Sequence, residues 1–232
     1  MRTRFFLLVA LAAQIAGCSA APLKTSDDSS DFVYVAEAVP DVILEIRYYS
    51  TYNFIGTRID GYEQPVAMCT KEAAEALLKA SGTFKDLGYR LKIFDAYRPQ
   101  KAVDHFVRWA KDEADTLMKA YFYPDLDKSE LFPQGYIASR SGHSRGSTFD
   151  LTLFDMNSER EVDMGGTFDW FGEKSHPFNR NGISDDQFEM RMLLRKVMLE
   201  SGFKPYDSEW WHFTLKDEPF PDTYFTFTKI SD

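Results

Sequence analysis

From Phe32 onward, apolar and polar positions alternate in blocks that change period along the chain. The stretch VILEIRYYS (42–50) is β-branched and aromatic and predicts a strand. TKEAAEALLKASG (70–82) has helical spacing, with Thr70 as a cap and Gly82 near the stop. YRLKIFDAYRP (89–99) predicts a strand that turns at Pro99, which then opens a helix over 100–120. That helix carries Val103, Phe106, Val107, Trp109 and Ala110 on one broad face. STFDLTLFD (147–155) sets Phe149, Leu151 and Leu153 against Asp150 and Thr152, the period of a strand. In 184–203, Ser184 and Gln187 form a capping-box pattern and Gly202 marks the helix end. EWWHFTL (209–215) predicts a further strand. Helices and strands mix without a regular βαβ rhythm. The expected class is therefore α+β, a single domain with a central, mainly antiparallel sheet packed by helices.

Composition adds a boundary at the N-terminus. The chain has 232 residues and a formal charge of -9, so polyanion binding is a poor fit. MRTRFFLLVALAAQIAGC has two arginines, an apolar run and small residues ending at Cys18, the layout of an export signal. The run is too short for a membrane span, which needs about 20 residues. Cys18 after IAG resembles a bacterial lipobox, in which the signal is cut before the cysteine and the thiol is acylated. An ordinary signal peptide with a chance cysteine is the alternative. The expected organisation is a signal over 1–17, a flexible tether over 18–31 and one folded domain over 32–232. Ser19 following the cysteine points to the periplasmic face of the outer membrane in a Gram-negative cell. Cys69 would then be the sole free thiol, with no disulfide possible, and reads as a buried structural residue.

The chemistry concentrates in SRSGHSRGSTFD, where His143 lies in a Ser/Gly/Arg loop seven residues before Asp150. EWWH adds Glu209 and His212. His, Asp and His make a three-ligand set that leaves a zinc ion an open position, as in catalytic sites. Glu209 is expected at the bend entering its strand, near enough to move protons without binding the metal. Taken singly, each has a plainer reading: a loop histidine, a polar strand residue, an aromatic core strand. H-x6-D is weak by spacing alone. His105 falls in the helix and reads as structural; His176 reads as a loop residue.

SGHSRGSTFDLTL and EWWHF are similar to the two signature segments of the VanX-type D-alanyl-D-alanine dipeptidases, zinc enzymes related to D,D-carboxypeptidases. The resemblance extends through YNFIGTRIDGYE, FDAYRPQKAV, MGGTFDWFGEKSH and SGFKPYDSEWWHF, over roughly residues 40 to 228 in order. It implies one Zn2+ per chain on His143, Asp150 and His212, with Glu209 as general base. It also implies that Arg98, in DAYRP, stabilises the oxyanion and that Asp95 supports Arg98. Asp169 is implied to face the substrate ammonium, with Ser141 and Tyr48 in the substrate pocket; a core role for Tyr48 stays open. The implied reaction is hydrolysis of D-Ala-D-Ala to two D-alanines. In an exported protein this would serve wall turnover or D-alanine scavenging. A stem-peptide carboxypeptidase and a non-catalytic wall-binding lipoprotein are the alternatives.

Overall fold

The computed structural model describes residues 23–231. The expected signal peptide and Cys18 lie outside them. In chain order the elements begin with β1 (Lys24–Ser26), β2 (Phe32–Tyr34), the single-turn helix α1 (Val35–Ala38) and β3 (Ile43–Leu44). Next come β4 (Met68–Thr70), α2 (Lys71–Asp86), β5 (Tyr89–Asp95), α3 (Gln100–Lys111) and α4 (Lys119–Phe122). The chain then forms β6 (Thr148–Asp155), β7 (Arg160–Glu161), α5 (Asp185–Glu200), β8 (Phe203–Tyr206), β9 (Glu209–Leu215) and β10 (Thr223–Phe225).

The central sheet has the order β3-β5-β6-β9-β8, with β7 on the end of β6. Only β3 runs parallel to its neighbour; the other pairings are antiparallel. Helices α2 and α5 pack on this sheet and on each other. The α+β class and the mainly antiparallel core hold. A register row decides where the chemistry goes. Asp95 of β5 pairs with Asp150 of β6, and Asp150 pairs with His212 of β9. Directly opposed residues on neighbouring strands share a face. Three polar groups are thereby set side by side on the three central strands.

Helix α5 begins as expected, with both hydrogen bonds of the Ser184–Gln187 capping box present. Four other expectations need correction. Helix α2 has its cap at Thr70 but runs through Gly82 to Asp86. Burying Phe84 contributes about 1.5–3 kcal/mol, which outweighs a glycine penalty of about 1 kcal/mol. The helix expected over 100–120 stops at Lys111. Beyond it, Lys128 Nζ donates to the carbonyls of Asp112 (2.6 Å) and Asp115 (2.7 Å), turning them away from helical partners.

The strand expected over 42–50 is confined to Ile43–Leu44 and gives way to a 3₁₀ turn at Arg47–Tyr49. Asn53 Nδ2 gathers the carbonyls of Arg47, Ser50 and Thr57 there, and Tyr48 is turned inward and buried. The fourth correction concerns the tether. Lys24–Ser26 pairs in parallel with Thr223–Phe225, and buried Ser29 accepts a hydrogen bond from the Ser231 amide (2.8 Å). From Lys24 on, the expected tether is part of the fold.

Candidate metal centre and active site

His143 sits on the 3₁₀ turn Gly142–Arg145. Ser141 Oγ caps the turn by accepting from the His143 amide (3.2 Å), and Gly146 closes it at φ 82°. The turn places the imidazole edge-on to His212, with ring centroids 4.9 Å apart. His143 Nδ1 lies 2.8 Å from the Ala96 carbonyl, so Nδ1 carries the proton and Nε2 offers its lone pair. Nε2 is 3.2 Å from Asp150 Oδ2 and 3.3 Å from His212 Nδ1, and His212 Nδ1 is 3.1 Å from Asp150 Oδ1.

The residues fit zinc. Bonds of about 2.0–2.1 Å in a tetrahedron set ligand atoms about 3.3 Å apart, close to the three separations found. Asp150 Oδ1 is buried and turned toward His212 Nδ1, its polar neighbour at 3.1 Å, so the carboxylate faces the same point as the two imidazoles. Burial opposes the charge on Asp150, but the two imidazoles outweigh it and hold its carboxyl well below the usual range. Among the described residues, this is the one group of three or more metal-ligating side chains.

Glu209 opens β9 beside a register shift between Pro205 and Tyr206. The irregularity brings Glu209 Oε2 to 3.4 Å from His212 Nδ1, although the two are three residues apart in a strand. The bend expected from the spacing is there. Arg98 follows β5; its Nε donates to buried Asp95 (2.9 Å), which also accepts from Tyr62 Oη (2.6 Å). Asp95 thus braces Arg98, as expected. Nη2 also lies 2.9 Å from Asp95 Oδ2 and reaches Asp150 Oδ2 at 3.4 Å, while Nη1 makes only a long contact, 3.5 Å to Ser141 Oγ.

Asp169 is buried and adopts φ 63°, an uncommon conformation for a residue other than glycine. Tyr48 Oη donates to its carboxylate at 2.9 Å. Burial, then the charge of Asp150, push the Asp169 carboxyl well up. The Tyr48 ring also faces the Arg98 guanidinium at 5.0 Å, so its core and pocket roles coincide. All of these groups line one cavity of about 270 Å³: His143, Asp150, His212, Glu209 and Arg98, with Asp169, Tyr48 and Ser141. That is at the small end for ligand sites, which run about 300–1,000 Å³.

The spacing gave no sign of the cavity's aromatic wall, Tyr136, Phe171 and Tyr206. Nor could it show the Ala96 carbonyl, since a backbone acceptor leaves no mark on side-chain pattern. His105 is structural, its Nδ1 accepting from the Asp60 amide (3.1 Å). His176 borders an adjoining cavity that shares Glu209, Tyr136 and Tyr206 with the first. Burial pushes the Cys69 thiol far up, leaving it inert.

A histidine–aspartate–histidine centre with an adjacent carboxylate and guanidinium, set on an α+β sheet, defines a zinc-dependent hydrolase. The family model for D-Ala-D-Ala dipeptidases of the peptidase M15 group matches residues 28–230, and the chain belongs to that family. It is 44% identical over 196 residues to a D-alanyl-D-alanine dipeptidase of Enterococcus faecalis, covering 84% of this chain and 96% of that protein. A D-alanyl-D-alanine dipeptidase of Streptomyces coelicolor is 42% identical over 199 residues, 86% of this chain and 98% of that one. One from Escherichia coli is 34% identical over 191 residues, 81% and 86% of the two chains.

Proposed function

We propose that this protein hydrolyses the D-Ala-D-Ala dipeptide to two D-alanines with one zinc ion per chain, in cell-wall metabolism. The observation that carries the reading is the convergence of His143, Asp150 and His212 beside Glu209 and Arg98 in one small cavity. Zinc held by those three residues supplies Lewis acidity, which polarises a carbonyl and acidifies water. Glu209 takes the proton of the attacking water as its oxygen bonds to the amide carbon. Glu209 then passes that proton to the amine as the C–N bond breaks. Arg98, held by Asp95, offers its free donors to the developing oxyanion; losing one such donor typically costs about 2.7–4 kcal/mol of transition-state stabilisation.

Asp169, with Tyr48 and Ser141, holds the substrate ammonium. An ammonium arriving beside Asp169 offsets the burial that pushes its carboxyl up and favours the ionised form. A peptide with a blocked amine leaves that buried carboxylate unpaired, which excludes longer substrates. Two alternatives, a stem-peptide carboxypeptidase and a binding protein, fit less well. The first would leave the buried Asp169 carboxylate without its ammonium partner, and the second has no use for a proton-moving glutamate.

The test is release of D-alanine from D-Ala-D-Ala by the zinc-loaded protein beside Glu209→Ala. Wild type should turn over, and the variant should keep its zinc while losing roughly 10²–10⁴-fold in rate. A Glu209→Ala protein as active as wild type would remove Glu209 from the chemistry. The export reading is part of the proposal: a signal over 1–17, lipid on Cys18 and a place at the periplasmic face of the outer membrane. It rests on the Arg2/Arg4, apolar and IAG-Cys layout. There the enzyme serves wall turnover or D-alanine scavenging.

A further inference from the structure

Arg191, in the middle of α5, is 1% exposed, yet no carboxylate lies within ion-pair distance of it among the described residues. A guanidinium buried without a counter-ion is costly unless its donors are satisfied. Here backbone carbonyls satisfy two of its three nitrogens: Nε donates to Met164 O (2.6 Å), and Nη1 to Lys174 O (3.0 Å) and His176 O (3.3 Å), while Nη2 is buried without a hydrogen-bond partner. Burial lowers the guanidinium to about 10, so it stays charged at neutral pH, and charge-assisted bonds are the strong ones.

All three acceptors belong to one segment. Met164 lies five residues before Asp169, and Lys174 and His176 lie five and seven after it. One side chain therefore ties together the two ends of a loop whose middle carries the ammonium-facing carboxylate. Inside the loop the backbone is under strain at Asp169 (φ 63°), and such a conformation persists only where its surroundings over-determine it. Phe168 stacks on Phe94 at 4.9 Å, and Ser175 Oγ donates to Trp170 O at 2.5 Å. These contacts fix the loop's interior. The ends have Arg191.

We infer that Arg191 is a positioning residue for substrate recognition, closing the 164–176 loop at its base so that Asp169 meets the substrate ammonium. This rests on the reading of Asp169 as the ammonium partner. Arg191 touches no substrate, so its loss should act on binding common to ground and transition states, and appear in KM more than in kcat. Small misplacements from remote changes cost up to about a hundredfold.

The test uses the full mature chain, zinc-loaded, as Arg191→Met and Arg191→Lys, each alone and with Asp169→Asn. We expect Arg191→Met to raise KM for D-Ala-D-Ala roughly ten- to a hundredfold, with kcat little changed and zinc stoichiometry intact. Arg191→Lys, which restores charge and one donor group, should recover part of the loss. In the Asp169→Asn background, Arg191→Met should add almost nothing, because both changes remove one interaction. Amide hydrogen exchange should quicken within 164–176 and stay unchanged in the central strands.

Unchanged KM in both Arg191 variants would overturn the inference, as would an equal rise with and without Asp169→Asn. Should the methionine variant not fold, the lysine variant decides, since it keeps the charge and much of the buried volume. Zinc-bearing wild type without turnover on the dipeptide would sink the functional reading itself. Active wild type with unmoved variants sinks only the positioning role.

Discussion

At His212, two carboxylates act against burial for possession of one proton. Burial favours the neutral ring, but Asp150 and Glu209, 3.1 and 3.4 Å from Nδ1, outweigh it and raise the imidazole to about 9. In the metal-free protein the ring is therefore charged at pH 7. The folded value lies above the unfolded one of about 6.5. The resulting stabilisation is full below about pH 6.5 and is lost as pH rises through about 9. Zinc needs the bare nitrogen, so loading at pH 7 must expel this proton. Calorimetric zinc titrations at pH 7, in buffers of different ionisation heat, should show about one proton released from His212. Near pH 10 that release should vanish, and the metal-free protein should melt lower at pH 9.5 than at pH 7. Proton-free loading at pH 7 would mean that Asp150 and Glu209 do not hold the ring charged.

The element that aims His143 is the turn from Ser141 to Gly146, and its weakest point is the glycine. Gly146 has φ 82°, its amide donates to His143 O (3.0 Å), and its carbonyl accepts from Thr70 N (2.9 Å). A Cβ there would run into the Phe32 ring. The left-handed conformation costs a non-glycine residue about 1–2 kcal/mol and overpacking about 1–3 kcal/mol more. Gly146→Ala should therefore lower stability by about 3 kcal/mol and weaken zinc binding, read by thermal melts and competition with a chelator. A variant with wild-type zinc affinity would separate the turn from ligand placement.

Elements such as α5, β6 and β9 were legible because cap, period and stop lie within a few residues of one another. The metal set was legible for a related reason, since its residues cluster in two short segments. What escaped depends on partners distant in the chain. Lys128 ends α3 from outside, Asn53 folds the end of the expected 42–50 strand, and Ala96 orients His143 through its carbonyl. Arg191 is the sharpest case, since in sequence it reads as one more charge on an amphipathic helix.

For the whole molecule, the first and last described strands meet. β1 joins β10, and the Phe32, Tyr97, Phe225 and Phe227 rings pack into a small second core beneath them. The fold thus holds the chain from Lys24, and if Cys18 carries the proposed lipid, only residues 19–23 separate the two. Five extended residues reach no more than about 18 Å, against about 45 Å for a tether as long as the one expected. On the proposed lipid anchor, a domain joined by so short a segment would stay against its membrane. It suits a diffusible dipeptide better than a stem peptide fixed in a wall beyond reach. Cys18→Ser should move the protein from the membrane to the soluble fraction with its D-Ala-D-Ala activity unchanged, as followed by fractionation and assay. Inserting about 20 Gly/Ser residues into that short segment, a stretch of roughly 25 Å mean span on its own, should leave dipeptide turnover in cells the same. A gain in wall-peptide cleavage on lengthening would instead show that reach, rather than the closed ammonium pocket, restricts the substrate.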